Sequence, residues 1–302
     1  MQTLSRWLMI FFREIRFYQF SKNLLIFVPL FSGHFFNLPG LVSQFILGFF
    51  VFCCVAGSGY ILNDFCDLSY DRVHPNKANR PLAKGELSVN VAVLMMAVLF
   101  VLGLGLSLVF LPINFSIVLV TYYLLCFAYS HYLKRIVLAD VFTLSFFYSL
   151  RIMGGMFLIP ITGFSNWLIM FSFFFFLSLA YIKRYSELAR LSQEGHANNQ
   201  AIAGRNYFPA DLQQLGLFGV VSAFAATLIL MLYINSANVV QLYHTPQLLW
   251  MICFINLFWL LRIWVLVGRG LAIEDPVMFA LRDKLSLAAL SLIGVIYMLA
   301  SI

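Results

Sequence analysis

Charge is what this chain has least of. Asp, Glu, Lys and Arg make up 10% of its 302 residues, against 62% hydrophobic, and a soluble domain of that length could not cover its surface with so little polarity. Acidic residues are the rarer sign, 12 against 19 basic, which leaves a net charge of +7. Cysteine is sparse as well. Cys53, Cys54, Cys126 and Cys253 fall inside apolar runs and Cys66 stands at the end of one, so neither a disulfide framework nor a zinc spacing is implied. A removable signal peptide is not expected either, because Arg13, Glu14 and Arg16 interrupt the short apolar piece from Trp7 to Phe12. That piece reads as an interfacial amphipathic helix within residues 1–19.

Long hydrophobic runs are what remains. Stretches of about 20 apolar residues, each long enough to cross the hydrocarbon of a bilayer, fall near 20–38, 43–63, 91–111, 114–133, 138–160, 165–186, 212–236, 247–267 and 284–301. The expected fold is an all-α integral membrane protein, one domain over 1–302, with about nine transmembrane helices around a central cavity open to the cytoplasm. Charge placement tests this topology independently. The connections near 36–43, 111–114, 160–166 and 236–247 carry no Lys, Arg, Asp or Glu, whereas the basic residues gather on the opposite side or within spans. By the positive-inside rule that basic side is cytoplasmic, together with the N-terminus, and an odd number of spans leaves the C-terminus outside. The net charge therefore needs no nucleic acid to explain it, and a bacterial inner membrane is the expected location.

The second span breaks into Asn63-Asp64-Phe65-Cys66-Asp67-Leu68-Ser69-Tyr70-Asp71. On a helix advancing about 100° per residue, the spacing i, i+3, i+7 confines Asp64, Asp67 and Asp71 to an arc of roughly 60°. Carboxylates that converge in this way repel, and a hard dication such as Mg²⁺ relieves them, with Asn63 as a further oxygen ligand; a solvated acidic helix end is the plain alternative. The connection that follows, about 64–90, carries Arg72, Lys77, Arg80 and Lys84 around Pro75 and Pro81, cations able to fold back over a metal-bound phosphate.

A second long polar connection, about 183–211, begins Lys183-Arg184-Tyr185-Ser186-Glu187. Lys183 and Glu187 stand one turn apart and could pair on a helix surface, or they could complete a charged cluster on the same face as the acidic motif. Asp140 and Arg151 share one face of the fifth span, separated by roughly 16 Å along its axis. An Arg at the membrane centre costs about 2.5–3.5 kcal/mol on insertion scales, so Arg151 requires an interior partner, for a substrate or for a structural ion pair. Arg262 could snorkel to the membrane edge. Phe-rich runs such as Phe171–Phe176 suit an isoprenoid tunnel and lipid contact equally.

Together these residues resemble the UbiA superfamily of intramembrane prenyltransferases, over essentially the whole chain. In that family the first Asp-rich motif holds magnesium on the diphosphate of a prenyl donor, and a second motif, Asp-x-x-x-Asp, follows the sixth helix. Here that second place reads Lys183-Arg184-Tyr185-Ser186-Glu187, a cation where the family has a carboxylate. The departure is similar to the decaprenyl-phosphate phosphoribosyltransferase branch, as are Lys22-Asn23-Leu24-Leu25, the segment from His74-Pro75 to Gly85, Asp140 through Arg151, and Tyr233-Ile234-Asn235-Ser236.

The resemblance implies transfer of phosphoribose from phosphoribosyl pyrophosphate to a polyprenyl phosphate. Asn63, Asp64, Asp67 and Asp71 would hold Mg²⁺, with Asp64, Asp67, Asp71 and Lys183 central to catalysis. Lys22, Asn23, Arg72, Lys77, Arg80, Lys134, Asp140, Arg151, Arg184, Tyr185 and Glu187 would bind substrates or orient the groups that do. Two alternatives stay open at this stage: a prenyltransferase joining a polyprenyl diphosphate to an aromatic or quinone-precursor acceptor, and a cation-coupled carrier.

Overall fold

The computed structural model describes residues 2–73, 77–160, 165–193 and 205–302. Among the described residues it is all helix and turn, without a strand. Among the described residues eight helices are long and apolar enough to cross a membrane, and the chain is an integral membrane protein. The eight lie in α3 (Leu41–Cys66), α6 (Val89–Phe110), α7 (Ile113–His131), α8 (Ala139–Leu158), α9 (Asn166–Gln193), α10 (Leu212–Ile234), α12 (Trp250–Gly268) and α14 (Lys284–Ser301). Between and before them lie short helices: α1 (Gln2–Glu14), α2 (Val28–Ser32), α4 (Leu68–Val73), α5 (Pro81–Lys84), α11 (Ala237–Leu242) and α13 (Pro276–Ala280).

The span expected at 20–38 is the one that differs. It folds as a 3₁₀ helix over Phe17–Phe27, then α2, then a 3₁₀ turn over Phe35–Asn37. Pro29 opens α2, and Gly33 with His34, whose φ is 56°, closes it, so no continuous α-helix of span length can form. The 3₁₀ run rises about 2 Å per residue and is unusually long for that geometry. It is tied down by its neighbours. Asn23 and Ile26 are buried, and Ile26 O occupies the space that a Cβ at Gly155 of α8 would need, so this approach requires glycine.

The chain divides into two compact units, Met1–Lys134 with Leu150–Gly163 and Arg135–Ser149 with Phe164–Ile302. In the first unit α3 packs on α6 and α7. Polar cross-links hold them, as membrane helices favour: Ser58 Oγ donates to Met96 O at 2.8 Å and Ser107 Oγ meets Ser116 Oγ at 2.6 Å. In the second unit α9 packs along α10, and α12 packs on both. Trp264 Nε1 donates to Ser178 Oγ (3.0 Å), which donates to Gly219 O (2.8 Å). A Cβ at Gly219 would collide with the Trp264 ring, so the bond chain depends on that bare backbone.

Helix α9 also outruns its apolar segment. The connection expected to begin at 183 is helical as far as Gln193, because Arg184, Ser186 and Leu188 are buried and hold the last turns against the unit. Part of that connection, 194–204, and the His74-Pro75-Asn76 piece of the first one lie outside the described residues.

Candidate functional site

In the first unit the acidic motif closes α3. The helix is uncharged through Leu62, carries Asn63 and Asp64 in its last turn, and ends at Asp67, whose φ/ψ of −96°/4° caps it. Backbone bonds carry the path on: Asp67 N–H donates to Asn63 O (3.0 Å) and Asp71 N–H to Asp67 O (2.8 Å). Asp64 and Asp71 are buried, and Asp67 is more open.

Each carboxylate has a cation. Arg80 Nη1 lies between Asp64 Oδ1, at 3.0 Å, and Asp71 Oδ2, to which it also donates. Arg16 Nη2 donates to Asp64 Oδ1, and Lys134 Nζ, itself buried, donates to Asp67 Oδ1. Ser130 Oγ reaches Asn63 Oδ1 at 3.4 Å. Burial pushes the Asp71 carboxyl up from its ordinary value, Asp64 adds to this, and Arg80 pulls it down. The convergence of all three carboxylates on one point is not seen: among the described residues no three His, Cys, Asp or Glu side chains stand close enough to share an ion. The site still fits a hard dication in part. One cationic atom, Arg80 Nη1, already bridges Asp64 and Asp71, and the donors available are carboxylate and amide oxygens, which suit magnesium.

The segment that supplies Arg16 also holds the loop that supplies Arg80. Arg13 donates to Asn79 O (2.6 Å) and to Glu86 (3.2 Å), and Glu14 Oε2 accepts from Leu82 N–H at 3.3 Å. Glu14 is fully buried, and its Oε1 has no hydrogen-bond partner among the described residues. Burial, with the charge of Asp64 added, pushes the Glu14 carboxyl up to about 7. Arg72 is exposed and Lys77 half-buried on the same loop. Beside the N-terminal segment, Phe11, Ile15, Phe49, Phe50, Gly57 and Leu99 are among the residues lining an apolar cavity of about 590 Å³.

Deeper in the same unit, Arg151 has the interior partners its position requires. Its Nε donates to Asn23 Oδ1 (2.8 Å), its Nη2 to Tyr122 OH (3.0 Å), and its guanidinium stands 5.3 Å from the Phe52 ring centroid and 4.9 Å from that of Tyr122. Aromatic faces and neutral acceptors hold a cation at modest cost in desolvation. Lys22, next to Asn23, is half-buried.

In the second unit Arg184 is the hub of a buried network. Its Nε donates to Asp140 and its Nη1 to Glu187; Tyr207 OH donates to the other Asp140 oxygen and accepts from Leu138 N–H (2.8 Å); Arg205 Nη1 reaches Glu187 at 3.0 Å. Burial and the Asp140 charge push the Tyr207 hydroxyl well above its ordinary value. Arg184 has no exposed surface, whereas Lys183 and Tyr185 are half-buried, with Tyr185 edge-on to Trp264 at 5.7 Å. Asp140 and Arg151 do not pair with each other; each is met by other residues. Arg262 does not snorkel freely, since it makes a two-pronged bond to Asp283 at 2.8 and 3.0 Å.

The family model described as the UbiA prenyltransferase family matches residues 26–282. The chain belongs to this family. Among curated relatives, protein y4nM of Sinorhizobium fredii is 38% identical over 90% of this chain and 52% of its own length, and nodulation protein NoeC of Azorhizobium caulinodans is 32% identical over 89% and 86%. The decaprenyl-phosphate phosphoribosyltransferase of Corynebacterium glutamicum is 31% identical over 73% of this chain and 65% of its own. The chain thus spans about half the length of y4nM. Among solved structures, digeranylgeranylglyceryl phosphate synthase superposes with a TM-score of 0.67 at 18% identity, covering 97% of this chain and 98% of that one. A UbiA homologue from Archaeoglobus fulgidus, solved with GPP and Mg²⁺, superposes with a TM-score of 0.62 at 18% identity over 96% of each. The family match and these likenesses together fix the UbiA fold and the transferase superfamily.

Several polar residues of the two clusters carry no distinguishing signal in the sequence. Arg16 and Arg205 read there as topology charges. Tyr122 and Tyr207 look like any tyrosine in or beside an apolar run, and only the need of Arg151 and Asp140 for buried partners points to them.

Proposed function

We propose that this protein transfers 5-phosphoribose from phosphoribosyl pyrophosphate to a polyprenyl phosphate at the cytoplasmic face of a bacterial inner membrane, releasing diphosphate. The observation that carries the reading is the cationic character of the α9 segment. Lys183 stands where a second carboxylate would favour a second metal, and the Arg184 beside it is locked by Asp140 and Glu187. Phosphoribosyl pyrophosphate carries a 5-phosphate besides its diphosphate, so it asks for more fixed cations than a prenyl diphosphate does. The phosphoribosyltransferases among the relatives support the same choice.

Asn63, Asp64, Asp67 and Asp71 would hold magnesium, which when bound neutralises charge gathering on the departing diphosphate. Arg72, Lys77, Arg80 and Lys134 would take diphosphate oxygens; the forked guanidinium of Arg80 suits two of them at once. Lys183 and Tyr185 would take the 5-phosphate end of the donor, while Asp140, Arg184 and Glu187 keep that end of α9 rigid. Lys22, Asn23 and Arg151 would bind the acceptor phosphate, and the apolar cavity beside the N-terminal segment offers room for part of its tail. As the bond from C1 to the diphosphate oxygen loosens, positive charge develops on the ribose, and a phosphate oxygen of the lipid forms the new bond to C1. That oxygen is already anionic near neutral pH, so no side chain has to act as base.

The likeness to digeranylgeranylglyceryl phosphate synthase favours a second reading, a prenyl diphosphate donor with a lipid-phase acceptor. Incubating the purified protein with labelled phosphoribosyl pyrophosphate and a polyprenyl phosphate, and separately with labelled prenyl diphosphate and 4-hydroxybenzoate, separates them. Labelled lipid from the first pair is expected. Product from the second pair alone would overturn the proposal.

A further inference from the structure

Arg16 belongs to none of the motif segments, yet its side chain reaches the acidic cluster. Its backbone lies in the left-handed region, at φ 53° and ψ 53°, where a residue with a side chain is strained. That conformation follows α1 directly, with Arg16 N–H donating to Arg13 O at 3.2 Å and Gln19 N–H to Arg16 O at 2.7 Å. The side chain runs over the Tyr60 ring, 5.3 Å from its centroid, and its Nη2 donates to Asp64 Oδ1. Arg13 and Glu14, just before it, pin the loop that carries Arg80. The N-terminal segment therefore brings two guanidinium groups to one buried carboxylate.

Charge balance gives this arrangement a consequence. Asp64, Asp67 and Asp71 each meet a cation, from Arg16, Arg80 and Lys134, so none of the three carboxylates stands unpaired. A dication added alone would meet no unpaired negative charge among these three, and it would have to displace a guanidinium from Asp64. A dication arriving with diphosphate meets a different balance. The displaced guanidinium then has phosphate oxygens to bind, to which arginine donates as well as it does to carboxylate.

We infer that Arg16 is a diphosphate-binding residue that donates to Asp64 and passes to the diphosphate when the metal–diphosphate complex enters. The inference rests on the proposed metal–diphosphate role of the acidic motif and adds the residue that couples the two ligands. Metal alone binds weakly, because Arg16 competes for Asp64; metal with diphosphate binds tightly, because Arg16 becomes a ligand of the anion.

The test is Mn²⁺ binding to the full chain in nanodiscs, followed by electron paramagnetic resonance, with and without inorganic diphosphate. Arg16→Gln should bind Mn²⁺ alone roughly tenfold more tightly than the unaltered protein, and Mn²⁺ with diphosphate roughly tenfold more weakly. Arg16→Gly, which removes the guanidinium and relaxes the backbone at that φ, should repeat both changes if the glutamine variant folds poorly. Arg6→Gln, which removes an exposed cation of the same helix, should change neither. Equal weakening of both affinities, or no change in either, would overturn the role of Arg16 and leave the metal site standing. An unaltered protein that binds no Mn²⁺ even with diphosphate would remove the metal site itself, and this inference with it.

Discussion

At the residue scale, three charged side chains do different work, and substitution separates them. Arg184 has no exposed surface and two carboxylate partners. Arg184→Ala would leave Asp140 buried beside a tyrosine alone, and breaking a buried pair in this way costs about 3–5 kcal/mol. Its thermal unfolding midpoint should drop sharply. Lys183→Asp, at the next position and half-buried, should leave that midpoint nearly unchanged and instead raise KM for phosphoribosyl pyrophosphate more than KM for the lipid. Equal losses of both affinities would contradict the role given to Lys183. Glu14 makes a pH prediction. Its carboxyl titrates at about 7 in the fold against an ordinary 4.5, so the fold favours the protonated form. Stability present below the ordinary value is lost as pH rises through about 7. Glu14→Gln keeps an acceptor for Leu82 N–H and removes the charge, so the metal-free variant should lose less stability across that window than the unaltered protein. Parallel pH profiles would show that Glu14 is not the group responsible.

At the element scale, the helices that cross the membrane were legible and their interruptions were not. Composition alone marks α3, α6, α7, α8, α9, α10, α12 and α14, because about 20 apolar residues have no other stable arrangement in lipid. The stretch at 20–38 has that composition too. Its departure is local: Pro29, Gly33 and the left-handed His34 break it, and the 3₁₀ segment Phe17–Phe27 packs on α3 and meets α8 at Gly155, contacts that no one-dimensional pattern carries. Gly155→Ala tests that contact. A methyl group there would run into Ile26 O, nearer than any side chain can approach backbone, and overpacking of this kind costs on the order of 1–3 kcal/mol. A lower unfolding midpoint is expected, with the 3₁₀ segment becoming more open to proteolysis. An unchanged midpoint would mean the backbone moves aside without cost.

At the scale of the whole molecule, the acidic motif was readable because polar residues in an apolar helix stand out, and the family was readable from it. The partners were not. Asp64, Asp67 and Asp71 are met by Arg16, Arg80 and Lys134, the first and last of them 48 and 67 residues away in sequence from the carboxylates they meet. Arg80 and Lys134 stand out in sequence as candidates for phosphate and Arg16 only as one basic residue of the N-terminal stretch, and nothing there assigns any of them to a particular carboxylate. The same holds for Tyr122 beside Arg151 and Tyr207 beside Asp140, which nothing in the sequence sets apart from other tyrosines. One unit assembles an acidic cluster whose carboxylates each meet a cation, and the other a locked, cation-bearing helix end.

The most direct test of the proposed reaction is stoichiometric. Purified protein in nanodiscs containing a polyprenyl phosphate, given phosphoribosyl pyrophosphate labelled in the ribose, should place label in the lipid and release one diphosphate for each ribose transferred. Both products should vanish with EDTA and with Asp64→Asn. Diphosphate release without label in the lipid, or label transfer that continues in EDTA, would contradict the account.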